Sequence, residues 1–423
     1  DLDDVRQAAA MSQPGAASTV SATAEAVARR SYGKLVAFLA ARSRDVAGAE
    51  DALAEAFASA LESWPRNGVP GTPEAWLMTV ARRKMIDVAR QRRSGDSTAD
   101  HLLLLAELAE GDEADTHIPD ERLALMFACA HPAIDAGVRS PLILQTILGF
   151  DAAAIASAFL VSPATMGQRL VRAKSRIRQA GIPFRVPGPD ELQERLQAVL
   201  DAIYAAYAEG WVDPAGADAR RRNLADEAIW LGRLVASLLP GEPEALGLLS
   251  LMLHAHARRG ARRDAAGAYV PLTQQDPALW DAAMIDEAEQ LLLEASRLDG
   301  IGRYQLEAAV QSAHSVRQRA GKSDWSAIAK LYDALLALTA SPVVAINRAI
   351  AVAEVDGPLE GLAALDALAG DARLADYQPW WAARAGLLAR SGQQAAADLA
   401  YERAIGLERD PAVRQFLQRE RMR

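Results

Sequence analysis

Arg169, Arg172 and Arg176 recur at helical spacing with Gln168 and Thr165, and such a face can donate to phosphates and base edges. A helix numbered from Pro163 puts Met166, Leu170, Ala173 and Ile177 on the opposite stripe, at i, i+4, i+7 and i+11. Proline suits the first helical turn, and Ser162 can cap it. The preceding DAAAIASAF reads as a short amphipathic helix closed by a tight turn at Leu160-Val161-Ser162. Together they predict a DNA-binding helix-turn-helix. Solvated arginines on an ordinary surface helix are the plainer alternative, which the preceding helix and turn disfavour.

A second basic face lies upstream, where Thr79, Arg82, Arg83, Arg90 and Arg93 point outward together from a helix expected over Glu74 to about Arg93. Leu77, Ala81, Met85 and Val88 are its inward stripe. A third cluster gathers His254, His256, Arg258, Arg259, Arg262, Asp264, Gln275, Asp276 and Asp281. Histidines at i, i+2 point to different sides of a helix, so the paired-histidine logic of a zinc hydrolase is missing. There is no G-x-S-x-G, no phosphate loop and no spaced carboxylate pair. The cluster reads as a polar network fastening loops, with a small-molecule or peptide pocket as the second reading. No catalytic residue, metal or cofactor is expected, and the chain is not expected to be an enzyme.

The elements that must carry these faces are helical. The chain has 423 residues, 51% of them hydrophobic and few aromatic, rich in Ala and Leu, which predicts an all-α protein of two to four domains. A single cysteine, Cys129, excludes an intrachain disulfide framework. With no signal pattern or membrane-length apolar run, a cytoplasmic protein is expected. The net charge of −9 is unevenly placed. Arg82–Arg93 holds six bases against one acid, Ser162–Arg185 six bases and no acid, and Asp96–Glu121 nine carboxylates and no base. From Asp190 onward, 25 bases face 33 acids. Two basic patches joined by an acidic tether suit a bipartite DNA contact beside a domain that does not touch DNA.

Residues 1–21 are expected as a loose tail, 22–95 as a first helical domain, 96–119 as the acidic linker, 120–187 as the helix-turn-helix domain and 188–423 as a helical extension. Helices are expected from about Glu25 to Arg42 and from Val46 to Trp64, the latter with Leu53, Phe57 and Leu61 inward and Glu50, Asp51, Glu55 and Glu62 outward. The proline-rich break at Ile182–Pro189 predicts that a chain stopped after Pro189 keeps both preceding domains folded. Tyr332 with Pro342 recurs as Tyr401 with Pro411, with Leu365 between. Those steps of 33 and 36 residues lie close to the tetratricopeptide period of about 34. Trp381, Ala385, Gly392, Ala397 and Ala404 sit where such repeats take small or aromatic residues.

With AEDALAEAF, PEAWLMTVARRKMIDVARQRR and IASAFLVSPATMGQRLVRAKSRIR, the chain resembles the bacterial extracytoplasmic-function (ECF) sigma factors, specifically the subgroup with a tetratricopeptide-like C-terminal extension. The resemblance extends through Leu251–Asp281 and Leu331–Pro358. It implies transcription initiation with core RNA polymerase on promoter DNA. It assigns Thr79, Arg82, Arg83 and Arg90, with the Asn67–Pro73 loop, to the minus-ten element, with Arg93 on the same basic face, and the helix from Ala164, with Thr165, Gln168, Arg169, Arg172 and Arg176 on its outward face, to the minus-thirty-five element. Asp51, Glu55 and Phe57, on Ala49–Leu61, would meet the polymerase, a surface that from its residues alone reads equally as a solvated helix face. Ala54, Arg83 and Ala154 stand where the family commonly has Gln, Asn and an acid, which leaves base preference open. A peptide, protein or small-molecule signal is expected on the extension. A helix-turn-helix regulator that does not join polymerase, and a repeat-based scaffold, are the competing readings.

Overall fold

The computed structural model describes residues 14–91, 120–159, 161–211, 219–321 and 323–423. Among them the regular structure is helical throughout, apart from one isolated bridge between Arg263 and Tyr269. The chain divides into two compact units, Asp1–Gly210 with Asn223–Glu227, and Trp211–Arg222 with Ala228–Arg423. The acidic linker over 96–119 lies outside the described residues.

The first unit is built on α1 (Pro14–Ser43). It starts inside the segment expected to be a tail, because Pro14 suits a first turn and the Ala-rich run that follows favours helix. Residues 1–13 of that tail lie outside the described residues. From Leu35 to Ala40 every residue of α1 is buried, the pattern of a helix covered all round. Helices α2 (Val46–Asn67) and α3 (Pro73–Gln91) pack on it, as do α4 (Arg122–Cys129) and α5 (Ala136–Leu148). The approach of α5 is close: a Cβ on Gly33 would lie 2.1 Å from the Ile147 carbonyl oxygen. Gly149 ends α5 in the left-handed conformation, at φ 72°, beside the Tyr32 ring.

Helices α6 (Ala152–Ala158) and α7 (Pro163–Gln179) complete the helix-turn-helix. The proline-rich break after α7 does not end the unit. Helix α8 (Pro189–Trp211) continues it as far as Gly210 and buries Leu196, Val199, Leu200, Ile203 and Tyr207. The Ser140 hydroxyl donates to the Ala202 carbonyl at 2.6 Å, and Arg195 donates to the Phe127 carbonyl at 2.9 Å. Residues 22–95 and 120–187, expected as separate domains, therefore share one compact unit where they are described.

The second unit is a run of helices in which, from its second helix on, each packs against the next. Most of α9 (Ala219–Leu238) belongs to it, with α10 (Pro243–Ala257), α11 (Ala282–Ala295) and α12 (Arg303–Ala320) following. The Glu244 carboxylate on α10 accepts from Tyr304 N and Gln305 N, both at 3.0 Å, and so satisfies two donors at the start of α12. Next come α13 (Trp325–Thr339), α14 (Pro342–Val355), α15 (Pro358–Asp366), α16 (Gln378–Arg390), α17 (Gln394–Leu407) and α18 (Pro411–Arg421). Tyr332 and Tyr401 each sit on a helix that a proline-initiated helix follows. Ala385, Leu365, Ala397, Ala404 and Tyr401 are core residues. Gly392, at φ 77°, makes the turn between α16 and α17.

The histidine–arginine–aspartate cluster lies here and serves as fastening. Asp264 accepts from Ala266 N and Ala268 N, Asp276 from Ala278 N, and Asp281 caps α11 through Met284 N. Arg258 bridges the His254 carbonyl and Gln311 Oε1, and Ser315 Oγ lies 3.3 Å from His254 Nδ1. Burial, with Arg258 nearby, lowers the pKa of both His254 and His314 to about 4. Both imidazoles are thus neutral in the folded unit, whereas the unfolded chain takes up protons below about pH 6.5. The second unit is therefore expected to lose stability as pH falls from about 6.5 to 4, by up to about 3 kcal/mol per histidine. Denaturant unfolding of the chain across that range checks it, with H254Q and H314Q flattening the slope.

Candidate nucleic-acid interface

Helix α7 forms for local reasons. Asp151 caps α6 by accepting from Ala154 N at 2.7 Å, and Ile155 and Ala156 are buried. The turn closes through Val161 N to the Ala156 carbonyl at 3.0 Å. Ser162 then caps α7 by accepting from Thr165 N at 3.1 Å, with Pro163 at the first helical position. Met166, Leu170, Ala173 and Ile177 are buried, as the stripe predicts.

On the other side Gln168, Arg169, Arg172 and Arg176 are exposed. Arg172 Nε reaches the Gln168 carbonyl at 3.3 Å, which lays its guanidinium along the face. Thr165 differs from its expected place on that open face. It is half-buried, with its hydroxyl 2.7 Å from Ser162 Oγ, because it belongs to the cap. The face offers four long donors of fixed register, a geometry suited to phosphates and purine edges.

The upstream face is less uniform than its spacing implies. Leu77, Ala81 and Met85 are buried as expected, but Val88 is 41% exposed, because the core ends one turn before the pattern does. Arg83 is exposed. Arg82 instead folds inward, its guanidinium 5.1 Å from the Phe38 ring that Arg42 also covers at 3.5 Å. Desolvation and the neighbouring Arg42 lower its pKa from the ordinary arginine value. Thr79 donates to the Ala75 carbonyl at 2.9 Å. Arg90 lies on α3, and Arg93 lies outside the described residues. Ahead of α3, Gly68 at φ 82° and the edge-to-face Trp64–Trp76 pair hold the Asn67–Pro73 loop.

On α2 the buried stripe is Val46, Ala49, Ala52, Leu53, Ala56, Ala60 and Trp64. Alanines let neighbouring helices come close, so the apolar face rotates toward them and away from the Phe57–Leu61 line. Phe57 is half-buried and Leu61 is 49% exposed, flanked by exposed Asp51 and Glu55. Glu55 pairs with Lys84 at 2.8 Å. Glu50, expected outward, is drawn in instead: Lys174 Nζ of α7 donates to its Oε2. Burial raises the Glu50 pKa while Lys174 opposes the rise. Arg178 pairs with Asp45 at 3.2 Å. These two ion pairs are site features that spacing along α7 did not disclose.

Cys129 is fully buried beside Thr146, and burial pushes its thiol up to about 12, which removes it as a nucleophile. Among the described residues no group of three His, Cys, Asp or Glu could hold a metal, and no helix is long and apolar enough to cross a membrane.

The family model described as sigma-70 region 2 matches residues 27–95, which span α1 from Val27 through α3. A second, described as a family of unknown function (DUF6596), matches residues 195–296, from α8 to just past α11. An uncharacterized protein of Rhizobium meliloti (strain 1021) is 42% identical over 364 residues, covering 85% of this chain and 86% of that relative. No solved structure matches the chain.

Proposed function

We propose, from the match of residues 27–95 to sigma-70 region 2, that the chain is an initiation factor of the ECF type with a regulatory helical extension. Region 2 implies contact with core RNA polymerase and promoter DNA. The observation that carries the finer reading is a second DNA-reading module in the same chain: α6 and α7, capped at both starts, with Gln168, Arg169, Arg172 and Arg176 on the open face.

In this reading α7 enters the major groove at the minus-thirty-five element. Thr79, Arg83 and Arg90, with the Asn67–Pro73 loop, meet the minus-ten element, where a flipped base costs about a few kcal/mol to unstack. Arg82 supports that surface from beneath through Phe38. Asp51, Glu55, Phe57 and Leu61 of α2 form an acidic-edged apolar strip for the polymerase. The second unit, of tetratricopeptide-like helix pairs, modulates output by receiving a peptide, a protein or a small molecule. Its acidity argues against DNA as that ligand, since phosphate binding needs clustered Lys or Arg.

The test is run-off transcription with purified protein and core polymerase on upstream regions of the source genome, including that of its own operon. Promoter-specific transcripts are expected. Their absence from every region, with DNA binding retained, overturns the initiator in favour of a regulator that does not join polymerase.

A further inference from the structure

Helix α7 forgoes stability at two neighbouring places. Gly167 stands in its second turn, where glycine is less favourable than any residue but proline. Gly33 and Gly210, also helical, make room for backbone: a Cβ would lie 2.1 Å from the Ile147 carbonyl oxygen in the one and 2.4 Å from Ala225 N in the other. A Cβ on Gly167 would meet nothing within 4 Å among the described residues. One turn further on stands Val171, 64% exposed, the most open large apolar side chain described in the first unit. A β-branched residue there adds neither packing nor helix propensity.

A lone exposed valine is ordinary on a protein surface. Its neighbours set this one apart. Gln168 precedes it by one turn and Arg172 follows it, both exposed. Helical side chains lean toward the N-terminus, so Val171 covers the turn that holds Gly167 and Gln168. Beside its methyls the missing Gly167 side chain leaves a gap. The surroundings are cationic: Ser162–Arg185 holds six bases and no acid, and Arg169, Arg172 and Arg176 are exposed. That charge suits a polyanion. Among base edges in the major groove, the apolar group on offer is the thymine methyl. A side chain as short as valine reaches it only where the helix backbone comes close, which a glycine one turn away permits.

We propose that Val171 reads a thymine methyl in the major groove, with Gly167 leaving the clearance for it. Base choice on α7 then has an apolar part beside the one set by arginine and glutamine. This rests on the proposed entry of α7 at the minus-thirty-five element, where the first turns of such a helix meet base edges.

The test uses the full-length chain with core polymerase on a promoter that the run-off experiment yields. Each thymine of the upstream element is replaced in turn by uracil, which removes the methyl group and keeps every hydrogen-bonding group. One replacement should weaken binding about fourfold, the worth of one buried methyl group. In V171A the ratio between thymine and uracil at that position should fall to about one, while the losses at positions read by Arg169 and Arg172 persist. G167L puts a helix-favouring side chain into open space, so its melting temperature should hold. Its binding to the same element should fall about tenfold or more, because lifting α7 from the groove loosens the other base contacts as well.

Uracil tolerated at every position overturns the proposal, as does an upstream element without thymine or a thymine preference that survives in V171A. Equal weakening of V171A on thymine and uracil promoters, the mark of a contact with polymerase, also overturns it. The double variant R169A/R172A separates the two levels. If it loses base discrimination while uracil is tolerated, α7 reads bases and only the valine contact falls. If it loses affinity equally on all sequences, the proposed role of α7 fails and takes this contact with it. Should run-off yield no promoter, the initiator reading fails, and the uracil series is run on duplexes that the chain alone selects from random DNA; selection of none overturns both.

Discussion

Ending the chain after Pro189 is expected to unfold the helix-turn-helix half of the first unit, whereas ending it after Glu227 is expected to leave that unit folded. The shorter chain loses α8, with Leu196, Val199, Leu200, Ile203 and Tyr207 from the core. At about 1.5–3 kcal/mol per buried large side chain, that loss is comparable with the total stability of about 5–15 kcal/mol typical of a domain. Ser140 and the Phe127 carbonyl also lose their cross-helix hydrogen-bond partners, Ala202 and Arg195. Near-UV circular dichroism and thermal melting separate the outcomes: a cooperative transition in the Pro189-ended chain would show α8 to be dispensable. The Glu227-ended chain, transcribing at equal polymerase occupancy, then isolates what the second unit contributes. The expected result is altered output, and output equal to the full chain would show that unit to be neither activator nor brake.

Replacing Arg169 and Arg172 with Ala together is the second large effect. Each guanidinium lies on the open face of α7, and a bidentate contact to guanine is worth about 1–3 kcal/mol of discrimination. Together the losses are expected to reach about 2–6 kcal/mol on the matched element, with much smaller losses on elements already mutated at the contacted positions. Arg178 serves as the comparison, because it turns away to Asp45. R178A is expected to change affinity little and equally across sequences. Equal losses on matched and mutated elements for the double variant would remove base reading from α7.

How much of this was legible beforehand divides along a physical line. Caps and periodicity are local, so Ser162, Pro163 and the Met166–Ile177 stripe could be placed from spacing alone. Arg82 could not, because the ring it leans on, Phe38, belongs to another helix. Glu50 reads as a surface acid until a lysine 124 residues away comes to meet it. Phe57 and Leu61 keep helical spacing with Leu53, yet small alanines set the true contact face of α2. The joining of the two halves of the first unit left a trace in the sequence, Gly33 in mid-helix between Tyr32 and Lys34, where the lack of a side chain marks a close crossing. The proline-rich break misled for the opposite reason: prolines follow the end of α7, but a chain that turns can return to the same core.

The single thiol gives the molecule its own kinetic record. Cys129 is fully buried, and the charges of Glu50 and Lys174 both bear on it. A thiol reagent in solution can reach it only when the surrounding helices separate. Where reclosing outpaces modification, the observed labelling rate is the intrinsic thiol rate multiplied by the open fraction. The ratio of the two is a protection factor read on unlabelled, unmutated protein. Adding core polymerase, promoter DNA or a ligand of the second unit and timing the loss of this one sulfhydryl would rank them by how far each exposes the interior.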